Sequence, residues 1–425
     1  MARIVLNTFG SFGDLHPYLA IAIELRRRGH DPIVATSEVY RAKVQAEGLG
    51  FAPVRPDVGE LLHQPEKIAK LWHPRRGTVF LIRDYLMPCV EQSYADLLEA
   101  ASGADLIITH SAAYAGPTVA EALRLPWISI VLQPSMFLSR YDPPILPETW
   151  LRAIYPLGPA ARAAAFAMGK AWARTWAKPL LHLRRRLGLS TKSNPVFEGQ
   201  LSPLATLALF SSRFAPPQPD WPGNVNVTGF VFYDRLGAGF ESSSGEADLL
   251  RFLQAGPPPV LFTLGSSAVT HPGEFYRESA CAAQRLGCRA ILLAGTAGRD
   301  ALPDAPQSIF TADYLPYSSV MPQCAAIVHQ GGIGTTAQAL RAGRPMLVVP
   351  WSHDQPDNAE RIRRLGIARV ISRARYNAQR AEREIRILLE DKRYEDRARQ
   401  IAEEIANEDG LKNACDCVEK ILKAP

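Results

Sequence analysis

The sequence predicts an α/β protein with two parallel-sheet domains in tandem. Three observations carry that expectation. Residues 3–36 run strand, glycine turn, helix, strand, which is a βαβ unit and implies a parallel sheet. A second series of the same kind occupies residues 260–350. The length of 425 residues suits two or three domains at roughly 100–200 residues each.

The elements follow in order. Residues 3–8 (RIVLNT) are a short apolar run and read as the first strand. The glycine-punctuated turn Gly10-Ser11-Phe12-Gly13-Asp14 follows. From Pro17 to Arg28, apolar residues at 18, 19, 21, 22, 23 and 25 keep helical spacing. Gly29 stops this helix, and Arg26, Arg27 and Arg28 lie in its last turn, where cations suit the dipole. Pro32 to Thr36 is a second strand, and the theme returns at Asp105–Thr109 and Trp127–Leu132.

Residues 151–190 differ, being rich in Ala, Arg and Trp: Arg152, Arg162, Phe166, Trp172, Trp176, then Arg184-Arg185-Arg186. The plain reading is a helix packed on its domain with solvated arginines. The functional reading is a lid over an apolar substrate or a peripheral membrane-surface contact. Residues 214–224 (FAPPQPDWPGN) hold four prolines and read as a stiff connector at a domain boundary. Pro257-Pro258-Pro259 then leads into a strand, Val260–Leu264, ending in Gly265-Ser266-Ser267. Further strands are expected at Ala290–Leu293, Ser308–Phe310, Ala325–His329 and Met346–Pro350, before a charged helical tail over 378–422.

Composition excludes several classes. Hydrophobic residues make up 47% and charged residues 21%, ordinary for a globular protein. The net charge of +6, from 48 basic and 42 acidic side chains, permits anionic ligands without announcing nucleic acid. No zinc-finger spacing or RNA-binding signature is present. Six scattered cysteines form no disulfide framework and suit a reducing, cytoplasmic setting. Ile4-Val5-Leu6 is too short for a signal-peptide core, and no apolar run of 18 residues exists to span a membrane.

Three loops carry the chemistry. His329-Gln330-Gly331-Gly332-Ile333-Gly334-Thr335-Thr336 follows a strand and opens a helix. Glycines let the backbone approach a ligand, and the helix start offers N–H groups and partial positive charge to a phosphate. Thr335 or Thr336 can both cap the helix and bind phosphate. A plain strand-to-helix turn is the bland alternative. No Gly-Lys-Ser/Thr follows, so this is not a Walker loop. After the next strand, Pro350–Ala359 holds Asp354 and Gln355 side by side, a pair suited to sugar hydroxyls, or else an N-cap. The first turn, Gly10–Pro17, holds Asp14 and His16 at the same end of its own sheet. Gly10-x-x-Gly13 is an incomplete dinucleotide fingerprint, although Glu38 lies near the position of a ribose-binding acid.

Together these residues resemble the family 1 nucleotide-sugar glycosyltransferases, in a bacterial branch similar to macrolide, glycopeptide, sterol and rhamnolipid glycosyltransferases. The resemblance rests on GSFGDLHP at 10–17, TLGSS at 263–267, YLP at 314–316, HQGGIGTTAQALRAGRP at 329–345 and PWSHDQPDNA at 350–359. It implies the GT-B fold: two Rossmann-like, doubly wound domains facing each other across a cleft. The expected bounds are an acceptor-binding domain at 1–215, a linker at 216–245 and a nucleotide-sugar-binding domain at 246–400. Residues 401–425 would form a helix packed back on the N-terminal domain. By position, Tyr314 matches the aromatic that stacks on the donor's base, and Leu315 would bond that base through its backbone. Gly13, Gly265 and Ser266 would line the donor site. Gly331, Gly332, Gly334 and Thr335 would cradle the diphosphate, and Asp354 and Gln355 would hold the sugar.

The chain also departs from the family pattern. The phosphate-binding His falls on Gln330, with His329 one residue early, and the ribose-binding Glu falls on Gln338. The first-turn base, commonly His, falls on Asp14, and the Asp that orients such a His falls on His110. This suggests a base–partner pair in reversed order, Asp14 with His110, with His16 as the competing partner. The implied activity is inverting transfer from a UDP- or dTDP-linked hexose or deoxyhexose, glucose or rhamnose, to a hydroxyl of a small hydrophobic acceptor such as a phenol, polyketide or lipid. No cofactor is implied, and the absence of Asp-x-Asp agrees with chemistry that uses no metal. Trp72, Phe80, Met136 and Phe137 are candidates to line an apolar acceptor pocket. The rival readings are a nucleotide-sugar 2-epimerase of the same fold, a non-catalytic nucleotide-sugar binder and a dinucleotide oxidoreductase.

Overall fold

A computed structural model describes residues 1–146, 153–234, 244–295 and 306–423. The chain divides into two compact units: Met1–Tyr233 together with Glu408–Pro425, and Asp234–Asn407.

The first unit is built on seven parallel strands: β1 (Arg3–Asn7), β2 (Asp31–Thr36), β3 (Gly50–Pro53), β4 (Leu106–His110), β5 (Trp127–Val131), β6 (Thr206–Ala208) and β7 (Val225–Val227). Their order in the sheet is β3-β2-β1-β4-β5-β6-β7. The central strands β1, β4 and β5 are buried along almost their whole length because helices cover both faces of such a sheet. Ile4 pairs with Leu106 on one side and Pro32 on the other. The strand order reverses between β1 and β4. In open parallel sheets that reversal leaves a crevice beyond the carboxyl ends of the strands, where ligands bind.

Helix α1 (Phe12–Arg27) begins five residues earlier than the apolar spacing predicts. Pro17 reads as a helix start, yet it lies inside the helix. The true start is a capping box: Ser11 caps the Gly13 N–H, and the Asp14 side chain returns to the Ser11 N–H. The proline-rich stretch is also not the boundary. It joins β6 to β7, so the linker expected at 216–245 begins inside the first sheet. The prolines stand in the connection, before Val225 opens β7, where no ladder N–H is needed. Residues 235–243 of that expected linker lie outside the described residues.

Helices α2 (Pro159–Arg174) and α3 (Lys178–Arg186) occupy the basic stretch between β5 and β6. Leu180, Leu183, Ala173 and Trp176 are buried there with Leu86, Met87 and Val90.

The second unit holds β8 (Val260–Thr263), β9 (Ala290–Leu293), β10 (Ile309–Ala312), β11 (Ala326–His329), β12 (Met346–Val348) and β13 (Ala368–Val370). All neighbours are parallel, in the order β10-β9-β8-β11-β12-β13. This is the dinucleotide-fold order, with its reversal between β8 and β11. Helix α4 (Ile333–Arg341) follows β11, and α5 (Gln355–Arg364) follows β12. Helix α6 (Lys392–Ala406) closes this unit and packs on α4.

The chain then returns to the first unit. Helix α7 (Gly410–Lys423) lies along α1, with Ala414, Cys415 and Val418 buried. Arg28 bonds Asp416 (2.6 Å) and Glu419 (3.2 Å) across that contact.

Candidate active site

The first unit presents a carboxylate and a histidine at its sheet reversal. The loop after β1 turns at Gly10, whose φ of 136° suits only glycine. A Cβ at Gly10 would overlap the Asp14 carboxylate. The Tyr40 hydroxyl donates to the Gly10 carbonyl (2.8 Å) and fixes the loop. Asp14 Oδ2 accepts from the Ser11 N–H (2.8 Å) and from the Ser11 hydroxyl (3.3 Å). His110 ends β4 and is buried. Its Nδ1 accepts from the Ala112 N–H (3.4 Å), so the neutral ring carries its proton on Nε2. That nitrogen lies 3.8 Å from Asp14 Oδ1.

Burial raises the Asp14 pKa; His110 and the Ser11 bonds oppose the rise. Burial lowers the His110 pKa, against the pull of Asp14. The Asp14 side chain keeps 29% of its surface accessible, so it is reachable from solvent and not sealed in the core.

His16 does not join this pair. Two residues apart on a helix means different faces. The His16 ring stacks on Phe12 (5.2 Å, 14°) and lies 4.7 Å from the Tyr233 ring. Burial, with Lys43 nearby, pushes its pKa down to about 3. The Gly13 N–H is occupied by the Ser11 hydroxyl (3.3 Å).

The expected acceptor residues divide. Trp72 is buried, and so is Phe137, which stacks on Trp221 (4.3 Å). Met136 and Phe80 are partly buried, and Phe80 opens a π-helical turn, Phe80–Leu86. Sequence reasoning missed Phe9, Ile82, Tyr85 and Ala112. These are partly buried and pack on the cluster around Met87 and Trp176. Phe9 lies two residues past β1, and Ala112 lies two residues past His110, whose Nδ1 accepts its N–H. Phe9 lies just before the Gly10–Pro17 turn, and no motif or spacing marked it.

The second unit presents a glycine loop at its own sheet reversal. Gly265 (φ 66°) follows β8, and Gly331 (φ 86°) follows β11. A Cβ on Gly265 would overlap Gln330 Nε2 and lie 3.1 Å from Thr335 Oγ1. A Cβ on Gly332 would lie 2.8 Å from the same amide nitrogen. The Gln330 amide is therefore wedged between the two glycine turns at the start of α4. His329 is fully buried beneath them. Its Nδ1 accepts from the Gly331 N–H (3.1 Å), and burial pushes its pKa down to about 3. Of the two candidates for the loop's polar side chain, the structure puts Gln330 there and makes His329 a strut. Alternate residues of a strand point to opposite sides, which separates the two.

Gly332 is the N-cap of α4, and no side chain caps that end. Its first N–H groups stay available for an anion. Thr335 is buried one turn in, and Gln338 is partly buried a turn further, with its Oε1 unpartnered. Thr263 Oγ1 lies 2.9 Å from the Tyr317 hydroxyl and accepts from the Gly265 N–H (3.1 Å). Tyr317 also bonds Thr335, so Thr263 and Tyr317 brace both turns. Ser266 is exposed beside them.

The loop after β12 is tied to the same turns. Asp354 is the N-cap of α5. The buried Asn358 donates Nδ2 to Asp354 Oδ2 (2.6 Å) and to the Gly331 carbonyl (2.9 Å). Gln355 Oε1 is occupied by the N–H groups of Trp351 (2.7 Å) and Ser352 (3.2 Å). Its oxygen therefore shapes the turn, and only its NH2 remains for a ligand. His353 holds a left-handed φ of 60°, the strained conformation that clusters at ligand loops. Asn358 was missed, although it follows Asp354 by one helical turn inside a quoted motif. Tyr314 is 46% exposed while neighbouring Leu315 is buried, so an aromatic face stands out from a fixed base. Among the described residues, no group of three or more His, Cys, Asp or Glu is placed to hold a metal ion.

Comparison with known proteins finds relatives for both halves of the chain. Residues 4–139 match the family described as "Glycosyltransferase family 28 N-terminal domain", and residues 283–419 match "Erythromycin biosynthesis protein CIII-like, C-terminal domain". An O-mycaminosyltylonolide 6-deoxyallosyltransferase of Streptomyces fradiae is 35% identical over 437 residues, covering 98% of this chain and 97% of that one. A sterol 3-beta-glucosyltransferase of Arabidopsis thaliana is 27% identical over 437 residues, covering 99% of this chain and 68% of that protein. The crystal structure of the glycosyltransferase VinC in complex with dTDP superposes with a TM-score of 0.66 at 20% identity, covering 99% and 100% of the two chains. With likeness of that extent along the whole chain, and both halves matched by glycosyltransferase-pathway domains, the chain belongs to the family 1-like glycosyltransferases of the GT-B fold.

Proposed function

We propose that this protein transfers a hexose or deoxyhexose from a UDP- or dTDP-linked donor to a hydroxyl of a small hydrophobic acceptor, with inversion and without a metal. The observation that carries the donor half is the uncapped start of α4, with Gln330, Gly331 and Thr335 around it. Its N–H groups and partial positive charge suit a diphosphate in the ground state, and more so the charge that develops as the diphosphate leaves. Asp354, oriented by Asn358, holds sugar hydroxyls, and Tyr314 offers its face to the base. The acceptor half belongs to Asp14. Its Oδ1 takes the acceptor's proton as the acceptor oxygen bonds the anomeric carbon and the bond to the diphosphate oxygen breaks. The raised pKa makes this carboxylate a stronger base than an ordinary one. His110, neutral with Nε2–H toward Asp14, steadies the carboxylate.

Within that range a dTDP-linked 6-deoxyhexose and a polyketide acceptor come first. The relative at 35% identity is a 6-deoxyallosyltransferase acting on a tylonolide, and VinC is crystallised with dTDP. A sterol acceptor comes second, on the likeness to the plant sterol enzyme at 27%.

Thermal shifts with UDP, dTDP, GDP and NAD test the donor. Ligand at about 100 times its dissociation constant stabilises the fold by roughly 2.7 kcal/mol. A shift with dTDP or UDP is expected; a shift with NAD alone would replace this reading with an oxidoreductase. Release of nucleoside diphosphate that depends on an added acceptor separates the transferase from a 2-epimerase and from a non-catalytic binder.

A further inference from the structure

We propose that α2 and α3 form a lipid-binding face that seats the protein peripherally on an anionic membrane. This goes beyond sugar transfer and does not rest on it. Residues 149–197 carry nine lysines and arginines and no aspartate or glutamate. The rest of the chain holds the other 39 basic residues against all 42 acidic ones, so this one segment makes the protein basic.

The structure sorts that segment into two chemistries. Helix α2 buries Ala165, Phe166 and Ala173. Its opposite face exposes Ala160, Ala164, Ala167, Met168, Ala171 and Trp172, at helical spacing and without a charge. Met168 is 60% exposed, Trp172 51%, and Leu157 just before the helix 71%. Trp172 stands edge-on against the buried Trp176 (4.7 Å, 80°), which holds its indole outward. The exposed stripe continues at the same spacing through Thr175, Lys178, His182 and Arg185.

Several cations of the segment are occupied inside the fold. Arg174 bonds the carbonyls of Thr191 and Ser193, Lys170 pairs with Glu198, and Arg184 pairs with Glu121. Lys178 and Arg185 stay exposed, and among the described residues no carboxylate pairs with either. An uncharged apolar stripe with an interfacial tryptophan, ending in free cations, matches a bilayer boundary. Acyl chains take Met168 and Trp172, and anionic headgroups take Lys178 and Arg185. An acidic protein surface would satisfy the cations and leave the apolar stripe uncovered. Among the described residues no helix is long and apolar enough to cross a membrane, so the contact is at the surface.

The test mixes the full chain with phosphatidylcholine vesicles, with and without phosphatidylglycerol, and measures co-sedimentation and indole emission at low and high salt. Binding to the anionic vesicles alone, with a blue-shifted emission, is expected. The double variant Met168→Glu/Trp172→Glu should abolish binding, with melting temperature and transfer to a dissolved acceptor unchanged. Lys178→Glu/Arg185→Glu should weaken binding by about tenfold or more and blunt its salt dependence. A wild-type protein that stays in the supernatant with both vesicle types overturns the proposal. So does binding that survives Met168→Glu/Trp172→Glu, or binding to a soluble polyanion without binding to vesicles. Transfer activity measured in parallel keeps this failure distinct from failure of the transferase reading.

Discussion

Asp14 does two things with one carboxylate. Oδ2 closes the capping box that starts α1, and Oδ1 faces His110. An amide oxygen can still accept from the Ser11 N–H, so Asp14→Asn should keep the fold within about 1 kcal/mol. The same change removes the base and should lower turnover by roughly 10²–10⁴-fold, while the dTDP-induced thermal shift persists. Turnover near wild type would retire Asp14 as base. The pH profile follows with a definite sign. Transfer needs the ionised form, and the Asp14 pKa lies above its usual 3.8. Activity should therefore fall, as pH drops, at a higher pH than an ordinary carboxylate would set, read from kcat/KM against pH. Asn358 offers a second test. Its Nδ2 joins the Gly331 carbonyl to Asp354. Asn358→Ala should raise the donor KM about tenfold or more, since a buried hydrogen bond to a charged group is worth roughly 1.5–3 kcal/mol. Unchanged donor KM would mean that the two loops hold their places without it.

At the scale of elements, the start of α4 depends on the glycine turn beside it. Gly265 combines φ of 66° with a Cβ position already filled by the Gln330 amide. Gly265→Ala should displace Gln330 and weaken dTDP binding, by thermal shift, more than it lowers the melting temperature; the left-handed backbone alone costs about 1–2 kcal/mol. Much of this level was legible in the sequence. The apolar runs marked the central strands, and the glycine loops marked where each sheet presents its ligand end. Local signals failed where two of them competed. Pro17 masked the helix start because the Ser11–Asp14 capping box lay under a run that reads as a turn. The prolines at 216–222 masked β7, which is only three residues long. The choice between His329 and Gln330 depended on the residue at which β11 ends, and periodicity does not fix an end that closely. The approach of His110 to Asp14 joins positions 96 apart in the chain, so it was visible only through family likeness and not through spacing.

At the scale of the whole molecule, two consequences are measurable. His16 in the first unit and His329 in the second are both held neutral, with pKa values of about 3. Above pH 6.5 neither the folded nor the unfolded chain protonates them, and they contribute nothing. Below it the unfolded chain gains the protons and the folded one does not, so stability falls with acid by up to about 1.4 kcal/mol per pH unit for each, until about pH 3. The melting temperature should decline from pH 7 to pH 5, and a flat profile would contradict this burial. The second consequence concerns α7, whose Val418 is buried on the first unit. Val418→Ala should cost about 1–3 kcal/mol, and calorimetry should show the loss in the first unit's transition. The same return of the chain governs birth order on the ribosome. All seven strands of the first sheet emerge before the 174 residues of Asp234–Asn407, and α7 only after them. At about 5–20 residues per second, α1 waits roughly 20–80 s for the helix that covers its Ile21 side. The unit made second is continuous in sequence and can finish folding first. The unit made first stays open until the chain comes back.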